Sequence, residues 1–115
     1  MRNEDRDNEE MTFEARSGNV FVDLGLQNAD DLLVKADLAS AIIALIRQNE
    51  WTQVEAAERL GVPQADVSRI ARLKTDKFSQ ERLQTILRRL GTDVEIVLHF
   101  RENGGIGTLK VREYA

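Results

Sequence analysis

The stretch Thr52-Gln-Val-Glu-Ala-Ala-Glu-Arg-Leu-Gly-Val-Pro-Gln-Ala-Asp-Val-Ser-Arg-Ile70 decides the fold. Thr52 can cap a helix that stops at Gly61, because glycine most readily takes the left-handed backbone that ends helices. Pro63, whose ring fixes φ, suits the start of a second helix from about Gln64 to Leu73. Two short helices joined by a tight glycine turn form the DNA-reading helix-turn-helix unit when certain positions agree. Counting Gln53 as the first residue, Ala57 is fifth and small, as required where the two helices touch. Gly61 is ninth and tolerates positive φ. Val67 and Ile70, fifteenth and eighteenth, anchor the second helix in the core. All four requirements are met.

The second helix can be checked by its angles. At about 100° per residue from Gln64, Ala65, Ser68, Arg69 and Arg72 fall near 100°, 40°, 140° and 80°. These five residues share one polar arc, while Val67, Ile70 and Ala71 are expected to point away from it. The outward face offers an amide, a small gap, a hydroxyl and two guanidiniums. Glutamine can pair with adenine, and arginine bidentately with guanine, in the major groove. Lys74 and Lys77 follow at once and suit phosphate contact. Thr52 and Gln53, at the first helix's N-terminus, are placed to meet a phosphate through the Gln53 side chain and backbone N–H groups. Asp66, near 200°, stands at the edge of the arc and would repel phosphate if it turned inward.

Outward from this unit, the spacing of Leu32, Ala36, Ala39, Ile43 and Ile46, and of Leu38, Ile42 and Leu45, predicts a largely buried helix over about 29–48. Asn28 can cap it, and Asp30 and Asp31 sit where the helix dipole favours carboxylates. Another helix is expected from Ser79 to Gly91, with Phe78 and Leu83 placed as a hydrophobic staple and Leu83, Ile86, Leu87 and Leu90 as its inward stripe. Apolar residues at 20, 22, 24 and 26 alternate and predict a short extended arm before the first helix. Beyond Gly91 the period is again two. Val94, Ile96, Leu98 and Phe100 form one face of a strand, and 108–114 alternates after a glycine turn at 104–107. A two-stranded ribbon is marginal alone, so a second copy of the chain is the expected partner for this segment.

The helix-turn-helix stretch resembles that of the XRE/Cro-type repressors. Its flanks, Gly18-Asn-Val-Phe-Val-Asp-Leu-Gly-Leu26, Phe78-Ser-Gln-Glu-Arg-Leu83 and Leu90-Gly-Thr-Asp-Val-Glu-Ile-Val-Leu98, resemble a bacterial subfamily with many antitoxins of Hig-type toxin–antitoxin modules. The resemblance covers roughly 18–100. It implies a mainly α, four- to five-helix, lambda-repressor-like domain with a C-terminal β-strand or hairpin for dimerisation. It also implies phosphate contact by Gln53 and base reading by Gln64, Ala65, Ser68 and Arg69. Two positions depart from the pattern. Pro63 stands where a Ser or Thr cap is common, and Arg72-Leu-Lys74 replaces a Glu-x-Gly-Lys-like ending. The expected organisation is a flexible acidic tail at 1–17, a DNA-binding domain at 18–91 and a β dimerisation segment at 92–115.

Composition sets the limits. The chain has 115 residues and no cysteine, which removes disulfides, thiolate nucleophiles and Cys-based zinc sites. With His99 as the single histidine, a histidine-rich metal site or Ser-His triad has too few residues, so no enzyme activity, cofactor or metal is expected. No secretory signal and no run of about 20 apolar residues is present, so a cytoplasmic protein without a membrane span is expected. The net charge of −4 speaks at first against a partner as acidic as DNA. Residues 1–37, however, carry four basic and ten acidic side chains, whereas 38–91 carry nine basic and six acidic. The acidity belongs to the leader, and the middle is basic. Two partners follow: the major groove of double-stranded DNA read by a homodimer on a palindromic operator, or a small basic ribonuclease toxin met by the acidic leader of an autoregulating antitoxin. Arg82, Arg88 and Arg89 read as a solvated helix face, and Trp51 as an anchor of the helix junction.

Overall fold

The computed structural model describes residues 17–102 and 104–114, with side chains described from Asn28 onward. Four helices follow in order: α1 (Ser17–Gln48), α2 (Gln53–Leu60), α3 (Gln64–Ala71) and α4 (Gln80–Arg89). Both long and short helices meet at one core. Val34, Leu38, Ala39 and Ile42 come from α1, Ala56 and Leu60 from α2, Val67 and Ile70 from α3, and Leu83, Ile86 and Leu87 from α4, with Phe78 between α3 and α4. Helix α1 packs mainly on α4 and also on α3, while α2 packs on α3 and α4.

Local chemistry sets each helix start. The Thr52 hydroxyl accepts from the Glu55 N–H at 3.2 Å, and the Glu55 carboxylate accepts from the Thr52 N–H at 2.9 Å, a complete capping box. Ser79 caps α4 by accepting from the Arg82 N–H at 3.0 Å. Pro63 gives α3 no side-chain cap, but its carbonyl accepts from the Asp66 and Val67 N–H groups, so the helix starts at Gln64 as its sequence predicts.

Every helix ends on a left-handed residue: Glu50 (φ 57°), Gly61 (φ 74°), Leu73 (φ 59°) and Gly91 (φ 91°). After α3, the Lys74 N–H donates to the Arg69 carbonyl and the Leu73 N–H to the Ile70 carbonyl, both at 2.9 Å. This is a Schellman closure made without the glycine that usually occupies it. The departure at Arg72-Leu-Lys74 therefore leaves the turn intact and places a branched side chain in a costly backbone region. At Gly61 a second constraint joins the positive φ. A Cβ there would lie 2.9 Å from the Arg89 guanidinium carbon, which α4 lays over the turn between α2 and α3.

Three expectations are corrected. The arm over 19–26 is helical, because α1 begins at Ser17 and Asn28 lies inside it rather than capping it. No proline interrupts 17–48, and a lone Gly25 costs only about 1 kcal/mol, too little to stop a helix that continues on both sides. The tail assigned to 1–17 lies outside the described residues except for Ser17. Within α1, Val34 rather than Leu32 faces the core, and Leu32 and Leu33 are exposed. Finally, no strand forms among the described residues of 92–115. Val94 and Val111 pack on the core, but Ile96, Leu98 and Phe100 are exposed, Phe100 by 93%. A strand needs hydrogen bonds to a neighbour, and alternation alone supplies none.

Two tests follow from these contacts. Asp31 on α1 accepts from Gln80 Nε2 at the start of α4 at 2.6 Å and pairs with Lys35 Nζ at 3.1 Å. These bonds, Gln80 first, hold its carboxyl below the ordinary aspartate value. A depressed native value stabilises the fold above the unfolded aspartate range, and that contribution is lost as pH falls through the native value. Asp31→Asn is thus expected to lower the urea midpoint at neutral pH, with the gap to wild type closing below about pH 4; a gap constant from pH 7 to 3 would exclude the linkage. Leu73→Gly should raise stability by up to about 1 kcal/mol by relieving the left-handed strain. A lower melting temperature would show that the Leu73 side chain, which lines one open pocket with Ile43 and Ala44, outweighs its backbone strain.

Candidate nucleic-acid interface

Helix α3 is anchored by Val67 and Ile70, both fully buried, and this rotation fixes what it presents outward. Gln64, Ala65, Arg69 and Arg72 are exposed and Ser68 is half-buried, so the five residues of the polar arc share the solvent face. Ala71 is exposed too, against expectation. Its angle of about 340° lies only some 20° from Gln64, so it adjoins the arc rather than opposing it. Lys74 and Lys77 are exposed in the loop after α3. Thr52 is engaged in the capping box, and Gln53 opens α2 with an exposed side chain.

The polar arc has internal structure. Arg72 Nη2 donates to Ser68 Oγ at 2.7 Å, which couples two residues one turn apart. Arg69 Nη1 donates to Asp66 Oδ1 at 2.6 Å. From α4, Arg82 Nη2 donates to Asp66 Oδ2 at 2.9 Å, while its guanidinium lies 4.8 Å from the centroid of the Phe78 ring. Asp66 thus turns its carboxylate onto two guanidiniums at the edge of the presented face rather than into the polar arc. Its side chain is 14% exposed against 44% for each arginine. Burial opposes its ionisation, but the hydrogen bonds and charges of Arg82 and Arg69 outweigh that and hold its carboxyl below the ordinary aspartate value.

Arg82 is exposed on α4, as a solvated face requires, and it also shares the Asp66 carboxylate with Arg69. The i,i+3 spacing of Asp66 and Arg69 signals their pair in the sequence. Nothing local signals Arg82, sixteen residues from its carboxylate. Trp51 packs on the core with the Arg59 guanidinium 5.4 Å from its ring centroid, in keeping with an anchor between α1 and α2. From Ser68 to Lys77 the chain carries four basic residues and one acidic, so the basic groups concentrate along α3 and the loop that leaves it. Two short packed helices, an exposed amide, and exposed guanidiniums followed by loop lysines form a cationic face. Such a face can enter a groove between phosphates.

No helix among the described residues is long and apolar enough to cross a membrane. A family model described as a helix-turn-helix domain (HTH_37) matches residues 20–99. A solved structure assigned provisionally as an XRE family transcriptional regulator is 35% identical, with a TM-score of 0.69, over 76% of this chain and 99% of that one. No curated protein is similar enough to count as a match. With α2 and α3 in the expected geometry and the family match spanning most of the chain, the protein belongs to the helix-turn-helix domain family, in its XRE-type form.

Proposed function

We propose that the protein is a sequence-specific, DNA-binding transcriptional regulator whose α3 reads the major groove. The observation that carries this reading is the exposed polar arc of α3, which includes Gln64 and Arg69, with the exposed Lys74 and Lys77 directly after it. In this assignment Gln64 and Arg69 contact base edges, Ala65 leaves room for a thymine methyl, and Ser68 and Arg72 act as a hydrogen-bonded pair. Thr52 and Gln53 sit at the phosphate that α2 crosses, and the lysines meet phosphates on the other side. No catalytic role is assigned, and the site calls for no cofactor. Residues 18–91 form the reading domain, and residues 92–115 the segment that pairs two copies.

The pairing matters for specificity. One short helix reads only a few base pairs, so a homodimer on a palindrome with half-sites about one helical turn apart supplies the rest. Ile96, Leu98 and Phe100, exposed and apolar on alternate positions, supply the surface for a second copy. Repression follows when such a site overlaps a promoter, and cytoplasmic residence is expected of it. Selection from a library of randomised 30-base-pair duplexes should enrich one palindromic motif. Arg69→Ala is expected to cost about tenfold or more in affinity for that motif, and affinity should fall steeply with salt. Phe100→Asp should give monomers by sedimentation and half-site binding only. Enrichment of no sequence would overturn the reading.

The acidic leader supports a second role. Residues 1–37 carry six more acidic than basic side chains, a complement for a small basic ribonuclease toxin, and the antitoxin would then repress its own operon. A gene for a small basic protein beside this one, whose product co-purifies with this chain, is the expected finding. A product that stays apart at micromolar concentrations would remove this role and leave DNA reading untouched.

A further inference from the structure

We infer that Asp66 is a positioning residue that sets base discrimination by holding Arg69, and that Arg82 anchors this latch to the core; the inference rests on the proposed DNA-reading role of α3. The chain of support runs inward without a break. Arg69 Nη1 is held by Asp66 Oδ1, Arg82 Nη2 is held by Asp66 Oδ2, and the Arg82 guanidinium lies against Phe78, which is 1% exposed. A free arginine has several rotatable bonds and can swing among bases and phosphates. An arginine bonded through one terminal nitrogen to an anchored carboxylate samples fewer of those positions. The Nε–Nη2 edge of Arg69 makes no hydrogen bond among the described residues and carries the two parallel donors that match O6 and N7 of guanine.

The carboxylate also works against the wrong partners. It is one negative charge beside two positive ones at the edge of the presented face, so it weakens contact with phosphate at any sequence while leaving the guanine-facing edge of Arg69 intact. Discrimination is a difference of affinities, and a repulsive element against non-specific DNA raises it as surely as an added contact. Surface pairs of this exposure add little to stability. The cluster's role is accordingly direction rather than fold strength. The Phe78 stack and the two bonds to the carboxylate favour that direction before DNA arrives.

The test compares wild type with Asp66→Asn in selection from the randomised 30-base-pair library and in titration of one mixed-sequence duplex. Circular dichroism and thermal melting report the fold. Asp66→Asn should melt near wild type and lose about tenfold of its preference for guanine at one position of the enriched motif. It should bind the mixed-sequence duplex more tightly, with a salt slope steeper by about one phosphate contact. Opposite movement of these two affinities is a result that general loosening of α3 would not produce. If wild type enriches no motif, the DNA-reading role fails. If wild type enriches a motif and folded Asp66→Asn keeps the same guanine preference, Asp66 is not a positioning residue. Should Asp66→Asn melt early, Arg82→Gln replaces it: this change leaves the Asp66–Arg69 pair but removes its anchor. A partial loss of guanine preference supports the latch, and an unchanged preference overturns it.

Discussion

An eight-residue helix has no stability of its own in water, because nucleation is unfavourable and so short a helix makes few hydrogen bonds. Helix α3 exists because Val67 and Ile70 are taken up in the core, where α3 packs on α1 and α2. That same burial decides its rotation. With two residues inward on so short a helix, the remaining positions have no choice of side, and Gln64, Arg69 and Arg72 are presented together. The outer face is a consequence of the inner one.

The second constraint is the way the helices end. Each terminates in a left-handed residue that reverses the chain within a few positions, and the reversal after α3 brings the first turn of α4 back beside it. Phe78 enters the core at that bend, and Arg82, one turn into α4, lands against both its ring and the Asp66 carboxylate. The last turn of α4 returns to the other end of the unit, where Arg89 covers Gly61. Helix α4 thus touches the reading unit at its turn and at its outer edge, so the crossing of α2 and α3 is braced from one element.

Much of this was legible in the sequence because it is written locally. The Thr52 cap, the Gly61 turn, the Phe78–Leu83 staple and the rotation of α3 each depend on residues within one or two turns of each other, and the structure has them in place. What escaped depends on distant partners or on competition between weak signals. Alternation at 20–26 matches a strand, yet an uninterrupted run to Gln48 favours one helix. Leu32 has the period of a core residue, but Val34, two positions on, is the one the core takes up. The C-terminal alternation describes a surface that needs a neighbour, and one chain does not provide it. Arg82 could be placed only once the bend at Phe78 was known. Net charge misled for a related reason: it averages a leader and a reading unit of opposite sign, whereas a groove senses charge within about a Debye length.

The tight reversals also bear on how quickly the molecule forms. Helices α2, α3 and α4 meet their neighbours across turns of a few residues, so most of their association requires only short loop closures, as in the helical domains that fold in microseconds to milliseconds. The exception is the seam between α1 and α4, tied by Asp31 and Gln80 across 49 residues. Closing that seam places the two ends of the domain side by side, and it is the step on which the folding barrier of an otherwise locally wired chain would concentrate. Val67 and Ile70 lack their cover from α1 until the seam closes, so the reading face is settled only with it.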